Sequence, residues 1–173
     1  MSSDFAHRLT LDRIRDGERL DLVADSAECA RIAERLDLVS LERFDAHVAL
    51  ARSGDEVRAT GRIKAALVQS CVASGEPVPA RIDEPFDLKF VPEPKVGDEE
   101  IELSEDECET LFHDGAAIDL GAALADTLAL SLDPYPRSPS AEEALKSAGV
   151  LIEEQAGPFA VLAKLKGGDG SAE

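Results

Sequence analysis

The strongest constraint on this fold is a long alternating run in the middle of the chain, broken by a single turn. Phe44, Ala46, Val48 and Leu50 alternate with Arg43, Asp45, His47 and Ala49. Ser53-Gly54-Asp55 supplies the turn. Beyond it Val57, Ala59, Gly61, Ile63, Ala65 and Leu67 alternate with Arg58, Thr60, Arg62 and Lys64. Successive side chains of a strand point to opposite faces, so each half of this run has an apolar and a polar face. Two such runs joined by a glycine-containing turn specify a β-hairpin from about Phe44 to Leu67. On its second strand Arg58, Arg62 and Lys64 project together from one face.

The flanking segments add strands and helices. Phe5 to Leu11 and Glu18 to Val23 alternate as strands do, with Asp16-Gly17 turning the chain between them. Asp25 followed by Glu28 reads as a capping box, and Cys29, Ile32, Ala33 and Leu36 form the apolar stripe of the helix it opens. Gly75 and Pro77 mark a turn, and Ile82 to Phe90 reads as another strand, from which Arg81 can join the basic face. The connections are too short for crossover helices, which predicts one antiparallel sheet. VPEPKVGDEE, residues 91–100, is a loop composition, and a short strand is expected at Ile101 to Leu103. After Asp114-Gly115, Leu120, Leu124, Leu128 and Leu132 recur every four residues behind Asp119, a helix with its N-cap, ended by Pro134 and Pro136. Short helices are expected at Ala141 to Gly149 and at Pro158 to Lys166.

The fold class that follows is α+β: an antiparallel sheet built around a central β-hairpin, with several packed helices. A length of 173 residues suits one domain, 1–167, followed by a polar, glycine-rich tail, 168–173, too poor in apolar residues to order. Aliphatic side chains must carry the core, because the chain has six Phe, one Tyr and no Trp. Cys29, Cys71 and Cys108 are odd in number and never spaced as Cys-x-x-Cys, as expected of reduced thiols in a cytoplasm. The N-terminus has no apolar h-region, and no stretch approaches the roughly 18 apolar residues of a membrane span. No membrane partner is expected.

Charge is unevenly distributed. The chain carries a net charge of -18, from 18 basic and 36 acidic residues. Residues 1–91 hold 13 basic and 17 acidic residues, whereas residues 92–173 hold 5 and 19. Eleven of the 13 basic residues in the first part are Arg, whose planar fork suits phosphate and carboxylate. This describes a polar molecule with a near-neutral, Arg-bearing part and an acidic part able to hold a basic partner. An acidic surface also keeps a protein soluble and monomeric without further purpose.

Residues that would carry catalysis do not assemble in the sequence. His7, His47 and His113 stand apart from one another and from the cysteines, so no metal set is predicted. Cys71, between Val68 and Val72, reads as a packed thiol rather than a nucleophile beside a base such as His47. Neither GxGxxG nor GxxxxGK occurs. The acidic pairs, Glu99-Glu100 and Glu153-Glu154 among them, read as solvated faces. No enzyme activity and no cofactor are expected. Arg58, Arg62 and Lys64, joined by Arg81, have the spacing of a strand that contacts a nucleic-acid backbone. Stacking aromatics are not interleaved with them, and an overall negative charge repels a polyanion until the basic patch docks. Neutralisation of the same stripe by neighbouring acids is the competing reading.

An ordered series of motifs extends this reading. It comprises Val68-Gln69-Ser70-Cys71-Val72, Glu76-Pro77-Val78, Pro85-Phe86 with Phe90, Ile118-Asp119-Leu120, Leu130-Ser131-Leu132-Asp133-Pro134-Tyr135-Pro136, and Pro158 to Leu165. Across residues 5–167 the chain resembles the YceD family, the large ribosomal RNA subunit accumulation proteins. The resemblance implies a ribosome-biogenesis factor that supports accumulation or processing of large-subunit (23S) ribosomal RNA, and it brings no catalytic residues with it. Many members carry a Cys-x-x-Cys near Cys71, but here Val72, Ala73 and Ser74 follow, so the resemblance supports no metal or redox role. The partners implied are large-subunit ribosomal RNA at Arg58, Arg62, Lys64 and Arg81 or, alternatively, a basic ribosomal protein held by the acidic half.

Overall fold

The computed structural model describes residues 4–94 and 109–149. The chain divides into two compact units, Met1–Gln69 with Pro79–Pro134, and Ser70–Val78 with Tyr135–Glu173.

The first unit is α+β. Its strands are β1 (Arg8–Thr10), β2 (Arg19–Val23), β3 (Ser40–Ser53), β4 (Glu56–Ser70), β5 (Pro77–Pro92), β6 (Glu109–His113) and β7 (Ala117–Asp119). Helix α1 spans Ser26–Arg35 and α2 spans Leu120–Leu130. Five strands form a mostly antiparallel sheet in the order β2-β3-β4-β5-β6, and β1 pairs with β7 in a separate two-stranded sheet.

Strands β3 and β4 pair from Ser53↔Glu56 to Ser40↔Val68, joined by Gly54 and Asp55. Gly54 has a φ of 62°, the left-handed conformation glycine adopts at the first central position of a type II′ turn. The alternation sorts side chains as expected: Val48, Leu50, Val57, Ala59, Ile63 and Leu67 are buried, while Arg58, Arg62 and Lys64 are exposed.

The buried face is covered by helices. Asp25 caps α1 by accepting from Ala27 and Glu28 N–H, and Glu28 returns a bond from the Asp25 N–H, a complete capping box. Cys29, Ile32 and Ala33 are buried, and α1 packs on β3. Helix α2 buries Leu120, Leu124 and Leu128, and Asp119 caps it through the Ala122 N–H. A Cβ at Gly121 would stand 2.0 Å from the Phe5 carbonyl oxygen, so only glycine allows α2 this close to the N-terminal backbone. Burying such aliphatic side chains contributes about 1.5–3 kcal/mol each.

Two expectations are corrected. The strands do not form a single antiparallel sheet, because β6 lies parallel to β5, from Leu88↔Glu109 to Pro92↔His113. Residues 93–108 provide enough chain for the crossover a parallel pair requires, so the short-connection premise fails there. The N-terminal strand also leaves the main sheet, pairing Leu9 with Ile118 on β7. The strand expected at Ile101 to Leu103, the helix at Pro158 to Lys166 and the terminal tail lie outside the described residues.

In the second unit the Ser70–Val78 segment carries a turn, and helix α3 spans Ala141–Ser147.

Candidate nucleic-acid interface

The exposed face of the five-stranded sheet holds all four basic residues singled out from the sequence. Arg58, Arg62 and Lys64 occupy alternate positions of β4, and Arg81 lies on the adjacent strand β5. Cross-strand partners share a face, so His47 on β3, opposite Arg62, and Asp21 on β2, opposite His47, belong to the same surface. The outward positions of β2 to β5 carry Arg19, Arg43, Arg58, Arg62, Lys64, Arg81 and Lys89 against Asp21, Glu42, Asp45, Glu56, Asp83 and Asp87. In a chain of net charge -18, this face is a cation-bearing exception.

The four residues are not equivalent. Arg58 grips Asp87 with both arms of its fork, Nε to Oδ1 at 2.8 Å and Nη2 to Oδ2 at 2.5 Å. Its guanidinium holds the Asp87 carboxyl below the ordinary carboxylate range. Arg62 donates to the Asp83 carboxylate at 2.9 Å and to the Asp83 carbonyl at 3.0 Å. Lys89 pairs with Glu56 at 3.2 Å. These exposed pairs are worth little to stability, about 0–1 kcal/mol each, yet they neutralise the charges available to a ligand.

The three pairs also mark how β4 lies against β5. Glu56 with Lys89, Arg58 with Asp87 and Arg62 with Asp83 advance in step along antiparallel strands. Continued at the same step, Lys64 falls opposite Arg81 and Ala66 opposite Pro79. Like charges placed opposite one another cost stability. Lys64 and Arg81 are exposed, and neither has an ion pair or side-chain hydrogen bond among the described residues. Asp45, the β3 neighbour of Lys64, is buried and engaged by Arg43 at 2.5 Å. One end of the stripe is thus neutralised, and the other presents two adjacent unneutralised cations, an arrangement suited to an anion.

Sequence reasoning missed two further features of this face. Phe112 on β6, opposite Val91, is 53 % exposed, so an aromatic ring does stand on this side of the sheet, two strands from the stripe. Its phase could be read only once the parallel pairing of β5 with β6 was known. Glu42 sits at a β-bulge between Leu41 and Arg43, where the β3–β4 register shifts. A bulge inserts an extra residue and re-aims its side chain, and a period-two pattern does not show it.

The second unit contains a distinct polar cluster. Cys71 is buried, and its Sγ accepts N–H bonds from Ser138 at 3.2 Å and Ser74 at 3.4 Å. The Ser138 and Ser74 hydroxyls and these N–H groups lower the thiol pKa to about 6 against the opposing effect of burial. The thiol expected to be packed beside Val68 and Val72 is therefore shifted toward its thiolate form. The Ser140, Ser138 and Ser74 hydroxyls likewise hold the Glu76 carboxyl below its ordinary range. Cys29 in the first unit behaves oppositely: burial pushes its thiol up. Among the described residues, no three His, Cys, Asp or Glu side chains converge as a metal set.

The fold and surface define an α+β protein with a mostly antiparallel five-stranded sheet, on which α1 packs through β3, and an exposed, charged sheet face. Residues 59–166, more than half the chain, match the family described as large ribosomal RNA subunit accumulation protein YceD. The chain belongs to the YceD family. No curated protein and no solved structure matches it. No helix among the described residues is long and apolar enough to cross a membrane.

Proposed function

We propose that this chain is a non-catalytic, cytoplasmic ribosome-biogenesis factor that supports accumulation or processing of large-subunit ribosomal RNA by binding it on the open sheet face. The observation that carries this reading is the Lys64–Arg81 pair, two neighbouring cations on adjacent strands, neither in an ion pair among the described residues. Such a pair costs folding energy and becomes favourable when a phosphate lies between its members. Family membership supplies the kind of RNA. Arg58 and Arg62 extend the contact when phosphates displace Asp87 and Asp83, which makes them secondary. RNA binding against a background of -18 should be weak and fall steeply as salt rises.

The test is capture from lysate by the full chain, wild type and Lys64→Glu/Arg81→Glu. Loss of large-subunit ribosomal RNA in the double variant, with unchanged thermal unfolding, is the expected result. Unchanged RNA capture refutes the sheet face. Capture of a basic ribosomal protein without RNA, by both forms, favours the alternative in which the acidic half is the working surface. The acids of that alternative, Glu99, Glu100, Glu105 and Asp106, lie outside the described residues.

A further inference from the structure

Beside the Lys64–Arg81 pair the sheet face sinks into a depression of about 350 Å³. Its floor is aliphatic, with Ala66 and Val68 from β4 and Pro79 from β5. Its sides are charged and opposite: Glu42 stands on β3 and Arg81 on β5, flanking β4 between them. Both are exposed, and neither has an ion pair or side-chain hydrogen bond among the described residues, although opposite charges elsewhere on this face are joined. The bulge at Glu42 delivers this carboxylate to the rim, and bulges recur beside binding sites.

A ligand that satisfies the depression needs a flat apolar face for the floor, a pair of N–H donors for the carboxylate and a pair of acceptors for the guanidinium. We propose that this depression is a guanine subsite for single-stranded RNA. The N1–H and 2-amino group of guanine present two adjacent donors to Glu42, and its O6 and N7 present the acceptor pair that an arginine fork binds. Adenine and cytosine each place an acceptor beside their exocyclic amine, and uracil has one donor between two acceptors, so none offers Glu42 the same pair. Lys64, opposite Arg81, then lies where the phosphate of the bound nucleotide needs a cation. This subsite rests on the reading of the sheet face as an RNA surface, and it adds a base preference that backbone contacts alone do not give.

The experiment measures binding of the full chain at low salt to four labelled RNA decamers. One is all uridine, and the others carry a single central guanosine, inosine or 7-deazaguanosine. The guanosine oligomer should bind about tenfold tighter than the uridine one. Inosine, without the 2-amino donor, and 7-deazaguanosine, without the N7 acceptor, should each fall between them. In Glu42→Ala the guanosine-to-uridine ratio should drop to about one. The base analogues test wild-type protein, so they decide even if that variant folds poorly. Salt-sensitive binding of all four oligomers with less than about a twofold guanosine gain overturns the subsite and leaves the RNA surface standing. Absence of binding to every oligomer overturns both.

Discussion

The two ends of one sheet face hold the same kinds of side chain and use them differently. Toward Glu56 and Lys89, each cation has an acid directly across the strands, with Arg58 on Asp87 and Arg62 on Asp83. Toward Ala66 and Pro79, Lys64 meets Arg81, and an aliphatic depression with a lone carboxylate lies alongside. A solvated surface needs no more than the first arrangement. The second forgoes neutralisation that the sheet achieves two residues away, and the proposed RNA contact is assigned there on that ground. Counting cations along a strand therefore overstates a binding surface, and register decides which of them are available.

Both ends rest on the same helix-covered core, so the largest effect should be indifferent to the contrast between them. Leu124 and Leu128 are fully buried, and Leu124→Ala or Leu128→Ala should each cost about 2–5 kcal/mol by denaturant unfolding. A loss near zero would mean that α2 does not support the sheet. Next in size, Lys64→Glu/Arg81→Glu should weaken RNA binding by more than about tenfold, whereas Arg58→Gln/Arg62→Gln should cost about threefold or less. Equal losses in titrations of the two double variants would erase the distinction between the ends.

A gain of function sharpens the comparison further. Asp83→Asn/Asp87→Asn frees both arginines and should tighten RNA binding by about threefold, with a salt dependence steeper by about one unit of slope. Unchanged affinity and slope would show that these arginines do not reach the RNA. The smallest effect is expected from the other unit. Cys71→Ser should leave RNA affinity unchanged while removing an ultraviolet thiolate absorbance that titrates near pH 6 rather than near 9.0. Because the folded thiol pKa is depressed, its contribution to stability is fully present above the unfolded value and is lost as pH falls toward 6. The stability difference between wild type and Cys71→Ser should therefore grow from pH 6 to pH 9. A difference that stays flat over this interval would contradict the lowered thiol pKa.

The hairpin, the capping box at Asp25 and the leucine row of α2 were legible because each is a local pattern with one physical reading. The alternation of β4 also placed Arg58, Arg62 and Lys64 on one face and Arg81 beside them. The parallel pairing of β5 with β6 was not legible, since it depends on where residues 93–108 return the chain. Nor was the neutralisation of Arg58 and Arg62. Asp83 and Asp87 have the right phase on β5, but their register against β4 is set by the turn after Ser70, which carries no fixed residue count. The bulge at Glu42 and the N–H bonds from Ser138 to Cys71, 67 residues away, are tertiary products.

The most direct test compares two lysines of the same face in one sample. Acetylation rates of Lys64 and Lys89 in the full chain, read by mass spectrometry with and without large-subunit ribosomal RNA, report which end of the sheet the RNA covers. Lys64 should be protected several-fold while Lys89, already paired with Glu56, changes little. Protection of Lys89 with Lys64 unaffected, or bound RNA that protects neither, would contradict the assignment of RNA to the unneutralised end.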